Sequence, residues 1–496
     1  MSLASFRVMY SGRSYDVKAD KGQSLLTILR ERGFNINSFC GGTVSCGKCK
    51  VMISPAPAPT EADRRLLSSA ELERGIRLAC VHKADDGITV TLPDYLSIHT
   101  SDKGLNSAER DADSLLSAAI DIGTTTLVLA VFNRDGTVAG SITENNAQAS
   151  YGADVISRIR SERHFPGKQH ALIISQINRM SERLFEELGI SQPLDLFICG
   201  NTAMLHFLFG KSPVSMGEFP YKPLFLDYQS IDASEIGLNR FSKVTSLPCL
   251  ASFAGADITA GILSVYEDSG DYKLLIDLGT NAEIALFNNK RCYVATAAAG
   301  PAFEGANIRH GMPSTAGAIK AFRLINGNIN AETIDNAEIR GICGSGLISL
   351  VAELLRNRII DKSGRMFSDC FEISEDVALY PKDVRELQLA KAAVRGAVEE
   401  LIGRAGIGYS DISKLYLSGG FGTYINTDDA AFIGLIPAEL KGRAKGLGNS
   451  ALNGTVLYAV DDEKKDIAAR IKNSADIIDL ALTEDFAERL IKYIDF

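Results

Sequence analysis

No stretch of this 496-residue chain stays apolar for the roughly 18 residues that a bilayer span requires. Arg7 interrupts the opening segment where a secretory leader would carry its apolar core. A formal net charge of −9 repels phosphate backbones and anionic lipid surfaces, so neither nucleic acid nor a membrane is an expected partner. The six histidines, His82, His99, His164, His170, His206 and His310, form no HxH or HxxxH pair, which argues against a histidine metal site. Of nine cysteines, Cys199, Cys249, Cys292, Cys343 and Cys370 stand apart in apolar or Gly-rich surroundings and read as buried free thiols. An odd cysteine total without a leader points to a reducing, cytoplasmic setting without structural disulfides. At roughly 150 residues per domain, the length suggests about three globular units.

The other four cysteines begin with CGGTVSCGKCK, residues 40–50. Cys40, Cys46 and Cys49 are separated by five and two residues, and Cys80 follows after thirty more. Three clustered thiolates and one distant thiolate match the plant-type iron–sulfur arrangement. Zinc is the competitor, but zinc sites usually pair two CxxC knuckles, and Cys80 has no near partner. Gly41, Gly42 and Gly47 let backbone amides approach cluster sulfurs.

The flanking pattern is that of a β-grasp domain. FRVMYSGRSYDVKADKG alternates as a hairpin, and GQSLLTILRERGFNI reads as a short helix that buries Leu25, Leu26, Ile28 and Leu29 and ends at Gly33. LLSSAELERGIRLACVH supplies a helix before the last cysteine, and ITVTLP a closing strand. Over about residues 5–95 this order resembles the 2Fe-2S ferredoxins. The five-residue gap between the first two cysteines resembles the adrenodoxin-like branch, where photosynthetic ferredoxins have four, so no photosynthetic partner is implied. We therefore expect a ferredoxin-like domain over 1–95. Residues 96–116 are polar and without apolar period, which reads as a linker.

Beyond the linker lies an internal repeat. AIDIGTTTLVLAVF (119–132) is matched by LIDLGTNAEIALF (275–287), each a strand, a Gly-containing turn and a second strand. Such a turn admits a phosphate close to its backbone, donates hydroxyls and amides to it, and offers an aspartate to hydrated magnesium. YGADVISRI, LYLSGGFGTYI and GLGNSALNGTV follow in order. The set resembles the phosphate, adenosine and connecting-helix motifs of the superfamily that contains acetate and sugar kinases, Hsp70 chaperones and actin.

The resemblance implies ATP and Mg²⁺ as ligands. It places Asp121, Gly123, Thr124 and Thr125 on one side of the phosphates, with Asp277, Gly279, Thr280 and Asn281 on the other. Ser418, Gly419, Gly420 and Gly422 would meet the adenosine. Asp154 would orient water or magnesium, unless it is a solvated helix-face acid. Glu283 would join the metal's outer shell or pair with a lysine. Gly-rich 200–207, 297–308 and 341–350 read as loops near the cleft. The expected fold is α/β multidomain, a β-grasp ferredoxin domain before a duplicated actin-like ATPase fold with halves 117–271 and 272–496.

A one-electron carrier joined to an ATPase suggests hydrolysis coupled to an unfavourable electron transfer. Each 59 mV uphill costs about tenfold for one electron, and plant-type clusters sit near about −400 mV. The combination resembles the reductive activators of corrinoid enzymes. That implies transfer of one electron from the 2Fe-2S cluster to the cobalt(II) of a partner corrinoid protein in a methyltransferase system, restoring cobalt(I). It also implies an upstream low-potential electron donor and a homodimer. The chain carries no DxHxxG corrinoid-binding string, so the cobalt belongs to the partner, and no extra C-terminal CxxCxxC clusters. Its length predicts that the family's intermediate domain is reduced or missing. Dehydratase-type activators lack a ferredoxin domain and fit less well. A redox-gated small-molecule kinase and a nucleotide-binding redox sensor without turnover are the rival readings.

Overall fold

Ala4, Phe6 and Val8 point to one side of the first strand and are buried, while their neighbours are exposed, the period of a half-buried sheet. The computed structural model describes residues 3–92 and 116–496, apart from 11, 12, 35, 37, 39, 41, 153 and 421. Most of the expected linker, and Gly41, therefore lie outside the described residues.

Strand β1 (Leu3–Tyr10) pairs antiparallel with β2 (Arg13–Asp20), Phe6 opposite Val17. Helix α1 (Leu25–Glu31) starts at Ser24, whose Oγ accepts from the Thr27 amide at 3.1 Å. It buries Leu25, Leu26, Ile28 and Leu29 and ends before Gly33, at φ 78°, as the sequence predicts. Then follow β3 (Lys50–Ser54), α2 (Glu61–Leu66), α3 (Ser69–Glu73), β4 (Ile76–Leu78) and β5 (Thr89–Thr91). The sheet order β2-β1-β5-β3-β4 inserts the closing strand parallel to the first, a β-grasp sheet. Buried Asp63 caps α2 from Thr60 and also takes the Leu78 amide at 2.9 Å and His82 Nε2 at 2.7 Å. One carboxylate thus holds both sides of the turn that carries Cys80.

The rest of the chain builds two six-stranded sheets of matching topology. The first contains β6 (Ser117–Ile122), β7 (Thr126–Phe132), β8 (Val138–Asn145), β9 (Leu194–Gly200), β10 (Ser230–Asp232) and β11 (Phe241–Ser246), with α4 (Val155–Glu162), α5 (Lys168–Glu187), α6 (Thr202–Leu208) and α7 (Ala256–Ser264). Its order is β10-β11-β9-β6-β7-β8. The second contains β12 (Tyr272–Leu278), β13 (Ala282–Phe287) and β14 (Cys292–Ala297). A three-stranded insertion of β15 (Ala318–Ile325), β16 (Asn328–Thr333) and β17 (Gly341–Ile342) follows, then α8 (Gly344–Arg356), a ribbon of β18 (Phe371–Glu372) and β19 (Ala378–Leu379), and α9 (Pro381–Ala405). Strand β20 (Ile412–Ser418), α10 (Thr427–Phe432), β21 (Ala444–Gly446), α11 (Ser450–Val460), α12 (Asp462–Ser474), β22 (Ala475–Ile478) and α13 (Phe486–Lys492) complete it, in the order β21-β20-β12-β13-β14-β22.

In each half a meander of three strands is extended by a parallel strand beside its first member, so β6 and β12 occupy equivalent central places. Their C-terminal ends carry the repeated turns. Helices α7 and α11 cross where the halves meet, and a Cβ on Gly454 would stand 1.7 Å from the Ala260 carbonyl. Glycine is required there by helix contact rather than by backbone conformation.

Two expected loops are helices. GNTAMLHF enters α6, and GICGSGLISL forms β17 and α8, both deeply buried. At Gly346 a Cβ would approach the Ile319 carbonyl to 1.9 Å, so this glycine serves packing of a helix on a strand. His206 packs on its helix as expected, its Nδ1 on the Thr202 carbonyl at 2.7 Å and its ring stacked on Phe225.

Candidate nucleotide cleft and cluster loop

Gly123 donates its amide to the Thr126 carbonyl at 3.0 Å and closes the first turn tightly enough that a Cβ would stand 2.7 Å from that oxygen. The second turn, Gly279–Asn281, joins β12 to β13 in the same way. The two turns face across a cavity of about 210 Å³. Asp121, Gly123, Thr124, Thr125, Asp277, Gly279, Thr280, Asn281, Ser418, Gly419 and Gly420 all line it, so the structure brings together residues up to three hundred positions apart. Glu283 lines it too, facing Asp257 and Asp277 rather than a lysine among the described residues.

Two predicted residues stand elsewhere. Asp154 is exposed and caps α4, accepting the Ser157 amide at 2.8 Å, which is the helix-surface alternative foreseen for it. Gly422 is buried under the Leu447 carbonyl, 2.5 Å from where a Cβ would be, and close backbone packing accounts for it. Gly420 by contrast has open space on the cleft side.

Sequence reading left Glu304 without a role and missed Asp257 and Asn449. Glu304 Oε2 accepts from Thr125 Oγ1 at 3.0 Å and from Thr280 Oγ1 at 2.6 Å, a clasp joining both turns. Asn449 donates to Asp121 Oδ2 at 2.8 Å from the N-cap of α11. Asp257 sits in the first turn of α7 and lines the cleft. An acid directly inside GPAFEG and another after AGA, each in a Gly-containing stretch, were the available signals.

Burial raises these acids. Asp121 is pushed up to about 6 against the bonds from Asn449 and Cys199. Asp257 rises to about 7, chiefly by burial, with Asp121 opposing its charge. Asp277 also rises to about 7, by burial and then by Asp121 and Asp257. Glu283 is held well above the carboxylate range by burial and then by Asp257 and Asp277. Such acids repel one another until a divalent cation or its water shell stands among them. The donor set therefore fits magnesium held through water beside Asp121, Asp257 and Asp277.

At the other end of the chain, Cys40 is set beside Cys46 and Cys49 beside Cys80, and each partner shifts the other's thiol. The Cys46 thiol, with the amides of Ser45, Cys46 and Gly42, draws Cys40 down to about 3 although burial opposes it. Cys80 is lowered by its bond from Cys49, whose own proton is held above the ordinary range. Among the described residues no three metal-binding side chains stand in ready coordination geometry. Two thiol pairs are what the two irons of a 2Fe-2S group need, and the loop amides suit its anionic sulfurs. Arg30, buried beneath, faces all four cysteines. The residues fit the group.

Lys48, between the second and third cysteines, leaves its own domain. Its Nζ donates to the carbonyls of Ile308, Arg309 and Gly311 at 2.8, 3.1 and 2.5 Å. That segment begins at Glu304 and ends at Met312, both lining the cleft.

Residues 8–85 match the 2Fe-2S iron–sulfur cluster binding domain, 116–267 the RACo middle region, and 271–496 the C-terminal ASKHA domain of RACo. The chain is similar to the corrinoid activation enzyme RamQ of Eubacterium limosum, 32% identical over 75% of this chain and 68% of that enzyme. The chain belongs to the corrinoid-activating reductases. It is also similar to the [Co(II) methylated amine-specific corrinoid protein] reductase of Methanosarcina barkeri, 30% identical over 64% of this chain and 65% of that one. A solved reductive activator for corrinoid, iron-sulfur protein superposes with a TM-score of 0.71 at 25% identity, covering 99% of this chain and 98% of that one. Residues 116–267, which form the first six-stranded half of the fold, are the stretch that matches the family's middle region. Among the described residues no helix is long and apolar enough to cross a membrane.

Proposed function

We propose that this chain is an ATP-dependent reductive activator that delivers single electrons to the cobalt(II) of a partner corrinoid protein and restores cobalt(I). The observation that carries the reading is the seat of Lys48 on the segment Ile308–Gly311, which joins the cysteine loop to the wall of the nucleotide cleft. Family membership supplies the corrinoid client.

A 2Fe-2S group held by Cys40, Cys46, Cys49 and Cys80 supplies one-electron chemistry near the potential of plant-type ferredoxins. Arg30 offsets the negative charge of the loop, and the amides around Cys40 direct their dipoles at its sulfur. In the cleft, Thr124, Thr125, Thr280 and Asn281 cradle the phosphates of ATP, while Asp121, Asp257 and Asp277 hold the water shell of Mg²⁺. Glu304 feels any separation of Thr125 from Thr280, because it bonds both. Its neighbours in sequence carry Lys48, so cleft opening is transmitted to the electron-carrying loop. ATP favours the conformer whose complex makes cobalt easier to reduce, and hydrolysis releases the partner. A separate low-potential reductase recharges the chain, a homodimer agrees with the family resemblance, and a cytoplasmic setting with the cysteine usage.

The decisive experiment is anaerobic reduction of a cobalt(II) corrinoid protein from the same organism by the reduced chain, followed at the cobalt(I) absorbance. Cobalt(I) is expected only with MgATP. Hydrolysis without cobalt(I) across several corrinoid partners would refute the client.

A further inference from the structure

Behind the first phosphate turn lies a second cavity, of about 60 Å³, on the seam between the cluster domain and the first half of the nucleotide fold. Thr124, Thr125 and Asn145 line both this cavity and the cleft, so a single turn of backbone separates the two spaces. Arg30 of α1, 8% exposed, and Arg158 of α4, fully buried, face the cavity from the two domains. Arg179 of α5 completes the wall and packs on Gly33, where a Cβ would stand 2.8 Å from its Nη1.

Three guanidiniums and one carboxylate line this cavity. Glu144, the acid on this wall, already bonds Arg179 at 2.8 Å and Arg183 at 3.0 Å. Burial, and next Arg30 itself, disfavours the charged state of Arg158. Two buried polar atoms on the wall, Ser38 Oγ and Arg179 Nε, have no partner among the described residues. Arg158 Nη2 meanwhile holds the Thr124 carbonyl at 2.6 Å, tying the wall to the phosphate turn. Buried like charges and unpaired donors around a space too small for a nucleotide describe a site for a compact anion.

We propose that this cavity is an oxyanion site that receives the inorganic phosphate released from the cleft by ATP hydrolysis, held by Arg30, Arg158 and Arg179 between the two domains. The assignment rests on the ATPase reading above. Guanidinium forks bind phosphate oxygens in pairs, and Ser38 Oγ supplies a further donor from the cluster domain. Occupancy then cross-links the seam, and departure of phosphate loosens it after hydrolysis.

Two measurements on the full, cluster-loaded chain test this. In the first, Mg²⁺ and the β,γ-imido analogue of ATP saturate the cleft while inorganic phosphate is titrated by calorimetry. One site per chain is expected, with Arg30→Gln and Arg179→Gln each weakening it at least about tenfold. Arg179 lies wholly in the nucleotide fold, so its variant remains informative if Arg30→Gln loads its cluster poorly. No phosphate binding beside the analogue, or binding indifferent to both variants, overturns the site. In the second, a single turnover of ATP is followed with a fluorescent phosphate sensor. Phosphate is expected to appear in solution after a lag that Arg179→Gln shortens. A lag absent from wild type, or unchanged in both variants, means that the product leaves by another route and overturns the assignment. Failure of the chain to hydrolyse ATP at all would strike the ATPase reading instead, and the equilibrium titration would still decide the cavity.

Discussion

The ammonium of Lys48 lies 2.8 Å from the carbonyl oxygen of Ile308, across 260 positions of sequence and two domains. With Arg309 and Gly311 it fills the three donor directions of one half-buried side chain. Lys48→Met keeps the length and apolar stem but strands three carbonyls, at about 1–3 kcal/mol for each one left unpaired. Amide hydrogen exchange over 305–312 should accelerate, and the MgATP stimulation of cobalt reduction should fall about tenfold or more. Visible absorbance of the cluster should persist. Unchanged exchange in this segment would remove Lys48 as the link between loop and cleft.

Glu304 separates two roles by a conservative substitution. A glutamine oxygen can still accept from both Thr125 and Thr280, whereas alanine frees them. If the side chain is a clasp, Glu304→Gln should retain kcat within about threefold and Glu304→Ala should raise the KM for ATP about tenfold or more. Equal loss in both variants would instead assign the carboxylate to the metal or to the attacking water.

The carboxylates of the cleft make the metal-free protein sensitive to pH. Asp277 keeps its proton to about 7 in the fold, against an ordinary value of 3.8, and Asp257 behaves alike. Between these values the fold binds more protons than the unfolded chain, so stability is greatest below 3.8 as far as these groups are concerned and declines as pH rises to about 7. Magnesium favours the ionised acids and reverses the trend. Thermal melts at pH 5 and 7 should therefore converge when MgATP is added, with proton release on binding measurable near neutrality. Asp277→Ala should abolish hydrolysis while leaving the dithionite-reducible visible spectrum.

Local pattern carried much of this architecture. Cysteine spacing, alternating strands and the repeated DxGT turns announced both modules, because each is a short-range feature whose chemistry is fixed by adjacent residues. The contacts that complete the site are of another kind. Asn449 meets Asp121 over 328 positions, and Glu304 meets Thr125 over 179, so no window of sequence contains both partners. Glycine misled in the opposite sense. In GICGSGLISL it was read as loop chemistry, but Gly346 serves the close approach of α8 to the Ile319 carbonyl. Lys48 lies between two ligand cysteines, and only its partners in another domain give it a purpose.

Separate cores make the last prediction sharp. The ferredoxin-like domain closes its own apolar cluster, from Phe6 and Leu25 to Val90 and Leu92, and none of those residues belongs to the clusters of either half of the nucleotide fold. Cys46→Ser removes one thiol of the Cys40 pair and with it the proton-sharing bond that Cys40 accepts. An alkoxide is a poor substitute for a thiolate at iron, so the visible absorbance should bleach. The cleft, built on independent cores, should still bind MgATP within about twofold of wild type. Cobalt reduction should be lost in the same sample. Simultaneous loss of nucleotide binding would mean that the seam through Lys48 and Arg30 contributes to the cleft's own stability, and the two modules would then have to be treated as one cooperative unit.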